Sequence, residues 1–181
     1  MDMIAEGGAH LADHLERRSV DQIARQFRPD IVVLQDFSTV ALNPQTAQRS
    51  HRAIRAFCKL AGSSRLVLLA TWPRAEGRKL YRQPDMPRTP AEMTSVVQAH
   101  YGAATCIDRP GLQVAPVGQA WMLGTGLPLH RGDGYHASLT GAWLSALVLA
   151  RSMRLAPDRP HAPAGVEAPR RLIRIARAVA P

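Results

Sequence analysis

Asp133-Gly134-Tyr135-His136 has the composition and spacing of a held catalytic base. Ser138, Thr140 and Gly141 follow and lead into the apolar run 142–150. An Asp three residues before a His can fix the imidazole tautomer and stabilise the imidazolium that forms during acyl transfer. A glycine-containing loop at the mouth of an apolar helix would present that imidazole to a substrate. The same residues also suit a surface turn with a helix cap, because Asp, Gly, Ser and Thr are ordinary turn and cap residues.

The elements around this loop read as alternating helices and strands. Leu11, Leu15, Val20, Ile23, Ala24 and Phe27 recur at helical spacing over residues 9–28. Arg28-Pro29-Asp30 breaks that pattern before Ile31-Val32-Val33-Leu34, a continuous apolar run of the kind buried on both faces of a sheet. Residues 45–61 predict a second helix, with Ala53, Ile54, Phe57 and Leu60 on one side. Leu66 to Ala70 is another buried strand, and residues 73–90 are a Pro-rich, arginine-bearing surface excursion. Thr89 followed by Glu92 suits a capping box for a helix over 90–104. Val114-Ala115-Pro116-Val117 reads as a short third strand, and 139–153 as the helix closing the core. Such alternation predicts a parallel sheet with helices on both faces. In these sheets the loops at the carboxyl ends of the strands build the site. Gln35-Asp36-Phe37-Ser38, Thr71-Trp72, Gly118 to Trp121, and the Asp133–His136 loop should therefore meet at one edge.

Composition narrows the class. With 181 residues, 46% of them apolar, one well-formed core is expected. No run approaches the roughly 18 apolar residues of a transmembrane helix. Residues 1–8 show no basic and then apolar leader, so a cytoplasmic location is expected for the chain as it stands; secretion stays open if a segment precedes Met1. Cys58 and Cys106 fit no metal or redox spacing and read as buried small apolar residues. His10, His14, His51, His100, His130 and His161 are scattered, so no metal and no cofactor is expected. The net charge of +9 rests almost wholly on arginine, since only Lys59 and Lys79 are lysines. Abundant Arg, Ala and Pro suggest a GC-rich coding bias. A nucleic-acid partner is not expected, because aromatics are 5% and no recognition module accompanies the charge. Residues 1–155 are expected to form the α/β domain. Residues 156–181 add a Pro-rich segment and a basic helix over 170–180, docked or solvated rather than membrane-bound, since its apolar face is short and lacks Trp or Phe anchors.

Five short motifs in order carry a family resemblance. They are Gly7-Gly8 with Leu11 and His14, Ile31-Val32-Val33-Leu34-Gln35, Thr71-Trp72, Pro116-Val117-Gly118-Gln119-Ala120-Trp121, and Asp133 with His136, Ser138 and Gly141. Together they resemble the SGNH hydrolases, the superfamily of GDSL-type esterases and lipases. The resemblance implies a flavodoxin-like three-layer sandwich and an acyl-transfer site acting on a small-molecule ester or an acylated carbohydrate. In it His136 is the general base and Asp133 its orienting partner. A backbone N–H of the Gly-Gly turn, that of Gly8, is one oxyanion donor. The Gln35 amide stands nearest the family's second donor, with a strand-end hydrogen bond as its alternative role. Trp72 and Trp121 either wall the pocket or belong to the plain core.

One family block has no counterpart. The nucleophilic Ser belongs on the first strand, ahead of the Gly-Gly stretch, and no residue here matches it. Ser38 corresponds to a Ser that intact relatives carry in addition, and Ser138 reads as a helix-capping residue. Two function classes follow: a serine ester hydrolase whose first strand and Ser lie outside this sequence, or a non-catalytic remnant that binds an acyl or carbohydrate ligand. The first strand is expected between one near residues 2–5 and the one at 31–34. Without it Ile31 to Leu34 would present an open, apolar, aggregation-prone edge.

Overall fold

The computed structural model describes residues 3–17, 20, 26, 28–104, 111–157 and 159–180. Three strands form one sheet in the order β1 (Ile31–Leu34), β2 (Arg65–Leu69), β3 (Leu112–Ala115). Both pairings are parallel, with Val33 opposite Val67 and Leu68 opposite Val114. β2 is central, which explains its unbroken apolar sequence: Leu66, Val67 and Leu68 are all fully buried.

Helices cover both faces. On one side α1 (Leu11–Glu16), α2 (Pro44–Leu60) and α3 (Pro90–Ala104) pack Leu11, Ile54, Phe57, Met93, Val97 and Tyr101 against Leu66 and Leu68. On the other, α4 (Val117–Leu123), α5 (Leu139–Ser152) and α6 (Pro169–Val179) gather Val117, Trp121, Leu144, Val148 and Leu172 around Leu69. This is the three-layer α/β sandwich that the strand–helix alternation predicts, and its parallel strands place every carboxyl end at one edge.

Helix starts follow local chemistry. Asn43 Oδ1 accepts from the N–H groups of Gln45 and Thr46, with Pro44 at the first position of α2. Thr89 Oγ1 accepts from Glu92 N at 3.1 Å, while the Glu92 carboxylate accepts from Arg88 N, one residue earlier than a standard capping box. α6 starts at Pro169 and buries Leu172, Ile175 and Ala176 against α4 and α5. No helix among the described residues is long and apolar enough to cross a membrane.

Three expectations need correction or completion. The third strand is Leu112–Ala115, because Pro116 has no N–H for a ladder and Val117 already begins α4. Residues 3–6 carry no strand, and among the described residues β1 pairs on one side only, with β2. The first helix is seen over Leu11–Glu16, with Val20 and Gln26 also helical. Ile23, Ala24 and Phe27 lie outside the described residues, as does Cys106, whereas Cys58 is buried in the core of α2.

Candidate active site

The Asp133–His136 loop is held closed from within. Asp133 Oδ1 accepts from Tyr135 N at 2.7 Å and His136 N at 2.9 Å. Its Oδ2 lies 2.7 Å from His136 Nδ1. A carboxylate only accepts, so the proton of this contact belongs on Nδ1, the tautomer that in the neutral ring leaves the lone pair on Nε2. The His136 ring and the two backbone N–H groups hold the Asp133 carboxyl well below the usual carboxylate range. Gly134 sits at φ 67°, where an L side chain is strained, and the Arg78 side chain packs on the space a Cβ would take. The His136 side chain is 76% exposed, so the imidazole is displayed toward solvent while its other nitrogen is fixed.

The loop then runs directly into α5. Ser138 caps it, accepting from Gly141 N at 3.1 Å and donating to Pro128 O. Gly141 is required by close approach: a Cβ there would strike the Leu129 carbonyl and come within 2.7 Å of the Trp121 ring. The motif glycine after His136 is thus a packing requirement of the helix the loop opens.

Four contacts tie this loop to the carboxyl end of β2. Trp72 Nε1 donates to Tyr135 O at 3.0 Å, and Ala75 N donates to Gly134 O at 2.9 Å. His130 Nε2 donates to Pro73 O at 2.9 Å, and Arg78 Nη2 reaches Gly132 O at 3.3 Å. Trp72 is half-buried and stacks on Trp121, centroids 4.8 Å apart and planes within 8°. Trp121 is itself in the core and donates to Ser145 Oγ at 3.0 Å. Arg74 and Arg78 both lie over the Tyr135 ring, at 4.6 and 5.6 Å from its centroid. Burial lowers the Arg74 pKa, opposed by the nearby Tyr135, Tyr81 and Asp133. Tyr81 donates to Arg74 O, and burial raises its hydroxyl pKa to about 12. The excursion after β2 is therefore a brace for the candidate loop.

The carboxyl end of β1 carries a different arrangement. Gln35 is exposed, whereas Asp36 turns inward. Asp36 Oδ1 is 3.1 Å from His10 Nδ1 and accepts from Leu11 N at 3.2 Å and Phe37 N at 2.7 Å. These bonds anchor the start of α1, and with it the exposed Gly7-Gly8 turn, where Gly8 has φ 80°. Asp36 N donates to the buried Tyr101 hydroxyl, whose pKa burial pushes upward. Gly8 and Gln35 thus lie on the same sheet edge as His136, but among the described residues neither hydrogen-bonds to the Asp133–His136 loop.

Sequence reasoning missed the His10–Asp36 pair and the arginine–Tyr135 stack. The first joins residues 26 apart, and the second joins segments about 60 apart, so neither leaves a local motif. Asp36, two residues past an apolar strand, was the available signal for the first. No group of three or more His, Cys, Asp or Glu among the described residues could hold a metal ion.

Comparison with known proteins agrees with this architecture. No protein-family model matches the chain, and no curated protein matches it significantly. Among solved structures it is similar to "a putative SGNH hydrolase from Slackia heliotrinireducens", with 28% identity, TM-score 0.68, and 81% of this chain and 80% of that one covered. It is also similar to a DUF4886 family protein from Bacteroides uniformis ATCC 8492, with 15% identity, TM-score 0.76, and 97% and 79% covered. The second likeness speaks for the fold alone. The chain has an SGNH-hydrolase-like α/β fold.

Proposed function

We propose that this chain carries the His–Asp half of a serine ester hydrolase, with His136 as general base and then general acid, and Asp133 as its orienting carboxylate. One observation carries the reading: Asp133 spends all its hydrogen bonds on His136 and its own loop, and leaves Nε2 outward. A base so placed takes the hydroxyl proton of a Ser, and returns it to the leaving alcohol. The Gly8 N–H and the Gln35 amide serve the oxyanion, supported by their place on the same sheet edge. Trp72, backed by Trp121, walls the acyl or sugar side of the pocket. The nucleophile belongs on a strand added at the open side of β1, as the motif order of the family implies. The substrate is a small-molecule ester or an acylated carbohydrate.

The reading is tested on the DNA upstream of the Met1 codon and on its product. An in-frame extension is expected to encode an apolar strand ending in a Gly-x-Ser turn. The extended protein should hydrolyse p-nitrophenyl acetate, and His136→Ala should lower turnover by about 10⁴-fold. The 181-residue chain should release no p-nitrophenol beyond its own His136→Ala control. Absence of His136-dependent turnover in the extended protein, or an upstream stop codon with no such strand, favours the second reading. That reading is a non-enzymatic binder of acyl or carbohydrate ligands, and the lack of any residue matching the nucleophile speaks for it.

A further inference from the structure

We propose that Arg74 binds the anionic group of the substrate, a carboxylate or a phosphate, so that the site selects anionic esters over neutral ones. The ester part rests on the hydrolase reading above; the anion-binding part does not. Three arginines surround the candidate loop, and their commitments differ. Arg131 Nε donates to Ala137 O at 3.1 Å. Arg78 packs on Gly134 and donates to Gly132 O. Arg74 alone contributes no side-chain hydrogen bond found among the described residues; its contact is the face of Tyr135, the residue before His136.

None of the three forms an ion pair with a carboxylate among the described residues. Asp133, the carboxylate whose charge bears on Arg74, is already occupied by His136 and two backbone N–H groups. Glu76, two residues on, is exposed and forms no ion pair among the described residues. Arg74 is nonetheless half-buried, and loss of water depresses its pKa. A guanidinium stacked on an aromatic face keeps its planar N–H fork available at the rim. That fork matches a carboxylate or phosphate in bidentate geometry, and partial desolvation strengthens the bond.

The test uses the unmodified 181-residue chain and amide-resolved NMR titration. The probes are monomethyl succinate, 2-acetoxyethyl phosphate, and the neutral dimethyl succinate. At least one anionic ester should bind tenfold or more tightly than the neutral diester, with shifts centred on Tyr135 and His136. Whichever of the two binds identifies the anion. Arg74→Gln should abolish the preference, Arg74→Lys should retain part of it, and the remote Arg170→Gln should leave it unchanged. Equal binding of neutral and anionic esters by the unmodified chain overturns the proposal, even where the glutamine variant does not fold. So does a preference that survives Arg74→Gln, or shifts that fall on the arginines of α6. Failure of the hydrolase reading looks different: anions bind beside His136, yet the nucleophile-bearing protein turns over no ester.

Discussion

Asp133 and His136 are three residues apart, and their side chains are 40% and 76% exposed; Asp36 and His10 are 26 residues apart, and theirs are fully buried and 25% exposed. Both pairs place a carboxylate oxygen on an imidazole Nδ1, at 2.7 and 3.1 Å. Both also use a carboxylate oxygen to gather backbone N–H groups. The surroundings separate them. Asp133 closes its own turn, so the imidazole it holds faces outward and can meet a substrate. Asp36 ties α1 to the end of β1, so its bonds bear on the fold, and its Oδ2 is buried without a partner among the described residues. The same two residue types make a solvent-displayed pair in one place and a structural clasp in the other. Burial and connectivity decide which.

The largest effect that could break this contrast is catalytic. In the nucleophile-bearing protein, His136→Ala should lower kcat/KM by about 10⁴-fold, and His10→Ala by less than about tenfold. Comparable losses from both, measured on p-nitrophenyl acetate, would make the buried pair part of the reaction.

Stability should invert the order. Asp36→Ala strands the N–H groups of Leu11 and Phe37 and frees His10, at about 2–4 kcal/mol, since each buried unsatisfied group costs about 1–3. Asp133→Ala should cost clearly less than Asp36→Ala, as expected for an exposed loop. Urea unfolding of the two variants gives the comparison directly.

Acid titration should also part the two regions. His100, beside Tyr101 and hydrogen-bonded to Ser50 Oγ at 3.2 Å, is lowered to about 4 by burial and by the stacked His51. Its unfolded form takes up a proton more readily, so stability is lost as pH falls from about 6.5 to about 4. His100→Gln should flatten that limb. Asp133 is depressed instead, so its contribution is intact above about pH 4, its ordinary range, and fades only below it. Chemical denaturation between pH 3 and 8, with Asp133→Asn as the second variant, separates the windows. A limb between pH 6.5 and 4 that persists unchanged in His100→Gln would assign it elsewhere.

The smallest expected effect lies at the side of β1 that has no partner strand among the described residues, near Asp36. Val33 is 38% exposed there. Val33→Lys should change stability by less than about 1 kcal/mol yet slow aggregation, because an edge lysine opposes strand addition. Light scattering during thermal incubation checks it, and unchanged aggregation would mean this edge is not the route.

How much was legible in the sequence depended on the range of each interaction. β2 was readable because a central parallel strand must be apolar on both faces, and Leu66 to Leu68 state that outright. β1 was readable as a strand from the same kind of apolar run, but it is not buried on both faces, since among the described residues it pairs only with β2 and Val33 is 38% exposed. The helices over 44–60, 90–104 and 139–152 were readable from periodicity and from caps such as Ser138. Asp133 and His136 were readable because one turn makes their bond. β3 was misplaced by two residues, since its apolar run continues through Pro116 into α4 without a change of hydropathy. The excursion after β2 read only as surface, although Trp72, Ala75 and Arg78 clamp it to a loop about 60 residues on. The sequence alone determined most of the elements, though not the bounds of β3, and the one local Asp–His pair, because backbone propensity, burial period and short turns are nearest-neighbour physics. Tertiary structure alone decided that Asp36 clasps His10 and that Arg74 lies on Tyr135. Those contacts exist only once distant segments share the carboxyl edge of the sheet and exclude water from it.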